Sequence, residues 1–112
     1  MSQIAVLITH RTKPGQRDTV RAIWHRHMAP AVQANDGHDA YFYCVDPAVP
    51  DVVCAFQVYR DAAASAAFLT TNAYRDYEHE VTPFLLGPLT SSSLSPFGPR
   101  SDQGVTKHLT AR

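Results

Sequence analysis

The sequence predicts an α+β domain, a ferredoxin-like βαββαβ protomer with an antiparallel sheet and two helices on one face. Three observations predict it. Strand and helix signals run strand–helix–strand and then repeat that order. The strand segments are apolar on both faces, whereas each long helical segment carries one apolar stripe. The chain has 112 residues, 45% of them hydrophobic and 18% charged, which suits one globular domain and is too short for two.

From Gln3 to His10 the residues alternate, with Ile4, Val6 and Ile8 on one face and Ala5, Leu7 and Thr9 on the other. A strand apolar on both sides is covered on both sides. Lys13-Pro14-Gly15 is a turn. From Arg17 to Val32 the period is helical, and Val20, Ile23, Trp24, His27, Met28 and Ala31 form one stripe. Pro30 lies inside that pattern and is expected to kink or end the helix near Met28–Ala29. Asn35-Asp36-Gly37 is a second turn. Ala40 to Val45 and Val52 to Tyr59 read as a hairpin joined by a loop with two prolines, Pro47 and Pro50.

Asp61 is the expected N-cap of a helix from Ala62 to about Leu69. Thr71 or Asn72 caps the next helix, where Tyr74, Tyr77, Val81, Phe84 and Leu85 share a face. Pro83 disturbs its last turn and Gly87-Pro88 stops it. Leu89 to Phe97 supplies a last, serine-rich strand. The domain is thus expected over residues 1–97, followed by a polar tail, 98–112, that is mobile or orders on a partner subunit.

This layout gives the second sheet face no cover within one protomer. Left bare, it would exceed the few hundred Å² usual for a monomer, so a homodimer packed through its sheet faces is expected. Net charge is zero, so no electrostatic footprint for nucleic acid or an anionic membrane is present. No apolar run approaches the ~20 residues that span a bilayer. Met1-Ser2-Gln3-Ile4 lacks a basic n-region, so a cytoplasmic location is expected. Cys44 and Cys54 fall on neighbouring strands and read as reduced, buried structural thiols. His25 and His27 project about 200° apart on a helix and cannot clamp one ion, so no metal site is expected. There is no Gly-x-Ser-x-Gly elbow, P-loop or G-x-G-x-x-G.

Lys13-Pro14-Gly15, the strand Val53 to Tyr59, Asp61 through Phe68, Asn72 and Tyr74 together resemble the antibiotic biosynthesis monooxygenase family of dimeric α+β barrel proteins. The resemblance runs from about Ile4 to Leu94. Family members often carry a glutamate and a tryptophan where this chain has Gln57 and Tyr59, and a histidine where it has Phe68. Arg26-His27 followed by Asp36-Gly37 is similar to a heme-degrading branch. That branch uses a first-strand asparagine, a tryptophan at the place of Phe68 and a heme-ligating histidine at the place of Glu78. None of the three is present, so heme is not implied.

The family resemblance implies an apolar cavity between helices and sheet, holding a small apolar or aromatic ligand. It also implies oxidation of electron-rich polyphenols or polyketide-like compounds by O₂ without metal, flavin or other cofactor. The protein then binds a flat aromatic, favours its anion and excludes bulk water. His27, near the centre of the first helical stripe, is the expected proton-handling residue, because imidazole titrates near ~6.5; the alternative is a hydrogen-bonded core histidine. Trp24, Tyr43, Tyr59, Phe68 and Tyr74 are expected to line the pocket, with Gln57 as an orienting amide; each is otherwise a packing residue. Tyr41 shares the strand face of Tyr43. Glu78 and His79 read as surface residues. Two other functions stay open: isomerisation or cyclisation of a small carbonyl compound, and a non-catalytic ligand-binding dimer.

Overall fold

The computed structural model describes residues 2–97. The elements are β1 (Ile4–Arg11), α1 (Arg17–Gln33), β2 (His38–Val45), β3 (Val52–Tyr59), α2 (Ala62–Phe68), α3 (Asn72–Val81) and β4 (Thr90–Leu94). A single 3-10 turn, Thr82–Phe84, extends α3 through Pro83. The strands form one antiparallel sheet in the order β2-β3-β1-β4. This is the ferredoxin-like arrangement that the element order predicts. The expected polar tail, 98–112, lies outside the described residues.

Register decides which side chains the helices cover. Val6, Ile8 and His10 of β1 stand opposite Gln57, Ala55 and Val53 of β3. Along β3 the buried residues Val53, Ala55, Gln57 and Tyr59 alternate with the half-buried Val52, Cys54, Phe56 and Val58. The buried set meets Val20, Ile23 and Met28 of α1, Phe68 of α2, and Tyr77 and Val81 of α3 in one core. The other set lies on the uncovered face. There Phe42, Phe56 and Leu7 are successive cross-strand partners. Leu7, Phe42 and Leu94 are 37%, 59% and 49% exposed. Cys44 and Cys54 are direct partners in the β2–β3 register, and both are free thiols. Cys44 is exposed rather than buried as expected, because it belongs to the face that no helix covers.

Local signals set most element ends. The Asp61 carboxylate accepts from Ala64 N–H at 2.8 Å, and Thr71 Oγ1 accepts from Tyr74 N–H at 3.2 Å. Each cap satisfies one of the orphan donors at a helix start, worth about 1 kcal/mol. Gly15 takes φ 78°, which a side chain would resist, and its N–H reaches Asp51 Oδ1 at 3.3 Å. Pro30 does not end the helix: α1 runs through it to Gln33. Proline forfeits its own N–H bond and its ring crowds the carbonyl four residues back, yet Ala34 N–H still reaches the Pro30 carbonyl at 3.1 Å. Ala31 and Val32 pack on the core beyond it, so burial carries the last turn.

His27 does not reach the sheet side of α1. Its Nε2 bonds Glu80 Oε1 of α3 at 2.6 Å, and Arg26 pairs with the other oxygen of the same carboxylate. The expected catalytic histidine is therefore part of a clasp between α1 and α3. The His27 hydrogen bond, helped by the Arg26 charge, holds the Glu80 carboxyl below its ordinary 4.5. A depressed carboxyl contributes stability above its unfolded pKa and loses it as pH falls through the folded value. We expect Glu80→Gln to lower the urea midpoint modestly in neutral buffer, since the clasp is partly exposed. In acid, below the folded Glu80 pKa, wild type and variant should unfold together. Urea melts across pH measure this, and a gap that persists unchanged in acid would refute the clasp.

Candidate functional site

A cavity of about 250 Å³ lies between the helices and the covered face of the sheet. That is small for a ligand pocket and suits a compound of one or two rings. Trp24, Tyr43, Gln57, Tyr59, Phe68 and Tyr74 all line it. Trp24 reaches it from α1, Tyr43 from β2, Gln57 and Tyr59 from β3, Phe68 from α2 and Tyr74 from α3. Trp24, Phe68 and Tyr74 thus border the space without filling it.

His27 is not among the lining residues, although it lies one turn from Trp24. Three residues along a helix rotate the side chain by about 300°, so the two differ by about 60°. On α1 that difference separates the sheet side from the α3 side. The imidazole that does line the cavity is His10, on β1. Its place was legible, because the alternation Ile4, Val6, Ile8 continues to His10. His10 is 9% exposed, and burial pushes its pKa below the ordinary 6.5, so the ring is neutral at neutral pH. It also lines a second hollow with Tyr74, Tyr77, Glu78 and Leu89. Glu78 is exposed at that rim, as expected for a surface residue.

The polar groups of the wall include several donors. Trp24 stacks on Tyr43 with ring centroids 4.3 Å apart and planes 16° from parallel. Its Nε1–H donates to the Tyr41 hydroxyl at 3.0 Å, which leaves the Tyr41 proton for another acceptor. The Tyr43 hydroxyl is buried and has no partner among the described residues. Burial raises the Tyr41 pKa to about 12. It pushes Tyr43, Tyr59, Tyr74 and Tyr77 up as well, so all five phenols stay protonated.

One histidine escaped the sequence reading altogether. His38 opens β2, ahead of a register shift between His38 and Ala40 that breaks the alternation. Its Nε2 bonds Gln57 Oε1 at 2.8 Å, and its ring lies edge-on to Phe68 with centroids 4.7 Å apart. Gln57 and Phe68 are two of the positions where the family resemblance leads one to expect a glutamate and a histidine. Here an imidazole contacts both from a different strand.

The arrangement can hold a flat aromatic against Trp24 and Tyr43, offer N–H and O–H donors to its oxygen, and take up one proton at His10. Among the described residues no three His, Cys, Asp or Glu side chains form a metal-binding group. No described helix is long and apolar enough to cross a membrane.

Comparison with known proteins agrees with this geometry. A protein from Mycobacterium tuberculosis superposes with a TM-score of 0.80 at 24% identity, covering 89% of this chain and 100% of that one. A candidate antibiotic biosynthesis monooxygenase from Chloroflexus aurantiacus gives 0.75 at 23% identity, covering 89% and 98%. Another from Nitrosomonas europaea gives 0.81 at only 11% identity, covering 89% and 95%. At such identities the likeness establishes the fold. No curated protein matches the chain in sequence. The family profile described as antibiotic biosynthesis monooxygenase matches residues 3–80, well over half of the 112 residues. The chain therefore belongs to the antibiotic biosynthesis monooxygenase family.

Proposed function

We propose that this protein is a homodimeric, cofactor-independent monooxygenase that oxidises a small electron-rich aromatic, a dihydroxyarene or a polyketide-like phenol, with O₂. The observation that carries the proposal is the small aromatic cavity with one neutral imidazole and several protonated phenols on its wall. His10, not His27, is then the proton acceptor. It takes a phenolic proton, and the resulting arenolate is rich enough in electrons to reduce O₂. Electron transfer and recombination form a carbon–oxygen bond. Loss of the distal oxygen, protonated by the His10 imidazolium, then releases water. A dihydroxyarene plus O₂ gives a hydroxyquinone plus water. The arene loses four electrons and O₂ gains four, one oxygen atom entering the product and the other leaving as water. The phenols and Gln57 stabilise the anion, and the aromatic walls exclude solvent from it.

The same donors suit an enolate, which makes isomerisation or cyclisation of a small carbonyl compound the second reading. Oxygen uptake with a panel of hydroquinones separates the two, since isomer formation consumes no O₂. A protein that binds these compounds and transforms none is a binding dimer instead. We expect His10→Ala to lower turnover by roughly 10²–10⁴-fold, with His27→Ala retaining most activity. The acid limb of the wild-type pH profile should inflect below 6.5, because activity needs the neutral ring and burial has lowered its pKa. Full turnover in His10→Ala would remove His10 from the mechanism.

The dimer rests on the uncovered sheet face. Two copies packed through Leu7, Phe42 and Leu94 would remove three exposed apolar residues of that face from water. We expect sedimentation equilibrium to give a dimer for wild type. Phe42→Glu, which puts a charge on the β2 side of that face, should give a folded monomer. A variant that remains dimeric places the interface elsewhere.

A further inference from the structure

Asn35, His38 and Gln57 admit one consistent assignment of donors and acceptors. Gly37 N–H can only donate, and it meets Asn35 Oδ1 at 3.4 Å. That orients Asn35 Nδ2 toward His38 Nδ1, 2.8 Å away. An amide nitrogen cannot accept, so Nδ1 accepts and carries no proton. Burial lowers the His38 pKa, so the ring is neutral in neutral buffer and its proton sits on Nε2. Nε2–H therefore donates to Gln57 Oε1 at 2.8 Å. What remains of Gln57 is its Nε2 amino group, with two N–H donors and no partner among the described side chains. Gln57 is 4% exposed and lines the cavity.

The chain is held from both sides. The Tyr59 ring lies 4.4 Å from the His38 ring, and Phe68 meets it edge-on. The turn before His38 is pinned by Arg60 N–H, which bonds the Gly37 carbonyl at 2.9 Å. A Cβ at Gly37 would stand 2.9 Å from Ala64 Cβ, so α2 packs directly on that turn. Tyr41 is the cross-strand partner of Gln57 and Tyr43 lies two residues further along, so their hydroxyls share its sheet face.

We propose that Asn35 and His38 are positioning residues that lock the Gln57 amide as a donor, so that the cavity selects ligands presenting an acceptor oxygen, a carbonyl or a phenolate, near the C-terminal end of β3. An unlocked amide can flip and present Oε1, which repels such an oxygen. This deepens the monooxygenase reading and rests on the cavity being the ligand site.

The test is isothermal titration of the full chain with indanone and indane, two probes of one shape that differ by a carbonyl. Gln57→Leu should weaken indanone roughly tenfold, the value of one hydrogen bond, and leave indane nearly unchanged. Gln57→Glu keeps an acceptor for His38 but puts an oxygen where the amino group was, so its loss for indanone relative to indane should be larger. His38→Leu should lower the same indanone-to-indane ratio with Gln57 intact, a change that general damage to the cavity would not produce. A His38→Leu ratio equal to wild type overturns the relay while the cavity stands, whatever the Gln57 variants show. Failure of both probes to bind wild type overturns the cavity reading, and the relay with it.

Discussion

The pairing of β1 with β3 is the constraint on which the rest depends. Both are central strands with apolar residues on two faces, and their register places Val6 against Gln57 and His10 against Val53. A slip of β3 by one residue would exchange its faces, turning Phe56 toward the helices and Gln57 away from them. Correct register does three things together. It supplies the core under α1 and α3, floors the cavity, and leaves an apolar face without cover. Core, cavity and uncovered apolar face are therefore consequences of one alternation.

The protonation states on the cavity wall follow from burial. Phenols kept from water hold their protons, so Tyr41, Tyr43, Tyr59, Tyr74 and Tyr77 act as donors rather than bases. The same desolvation acts in the opposite sense on imidazole and keeps His10 and His38 neutral. One physical cause thus yields a wall of donors and a lining base. Aromatic packing adds orientation, because Trp24 is fixed both by its stack on Tyr43 and by its hydrogen bond to Tyr41. Charge plays its part outside the cavity, where Glu80 joins Arg26 and His27 across two helices.

The substitution of signature residues reads differently once the neighbours are known. Gln57 in place of an acid and Phe68 in place of a histidine look, in the sequence, like lost function. In three dimensions His38 approaches both, so a histidine from β2 stands at Gln57 and Phe68. Whether a position has lost a group depends on what reaches it from elsewhere in the fold. A strand-by-strand reading has no access to that.

By itself the sequence determined the element order, the cap at Asp61, a cap at Thr71 or Asn72, and the two-faced strands. These depend on near neighbours in the chain: periodicity of two or about 3.6, and side chains that bond a backbone N–H three residues on. Pro30 shows the limit, since its local cost was legible but the burial that outweighs it was not. Tertiary structure alone decided where His27 and His38 stand. His27 turns to α3 because a 60° difference on a helix becomes meaningful only once a partner helix is placed. His38 was hidden by a shift in strand register, and its partner Gln57 lies on another strand. Proton-handling groups are defined by desolvation and by partners distant in sequence, and both arise only when the chain has closed on itself.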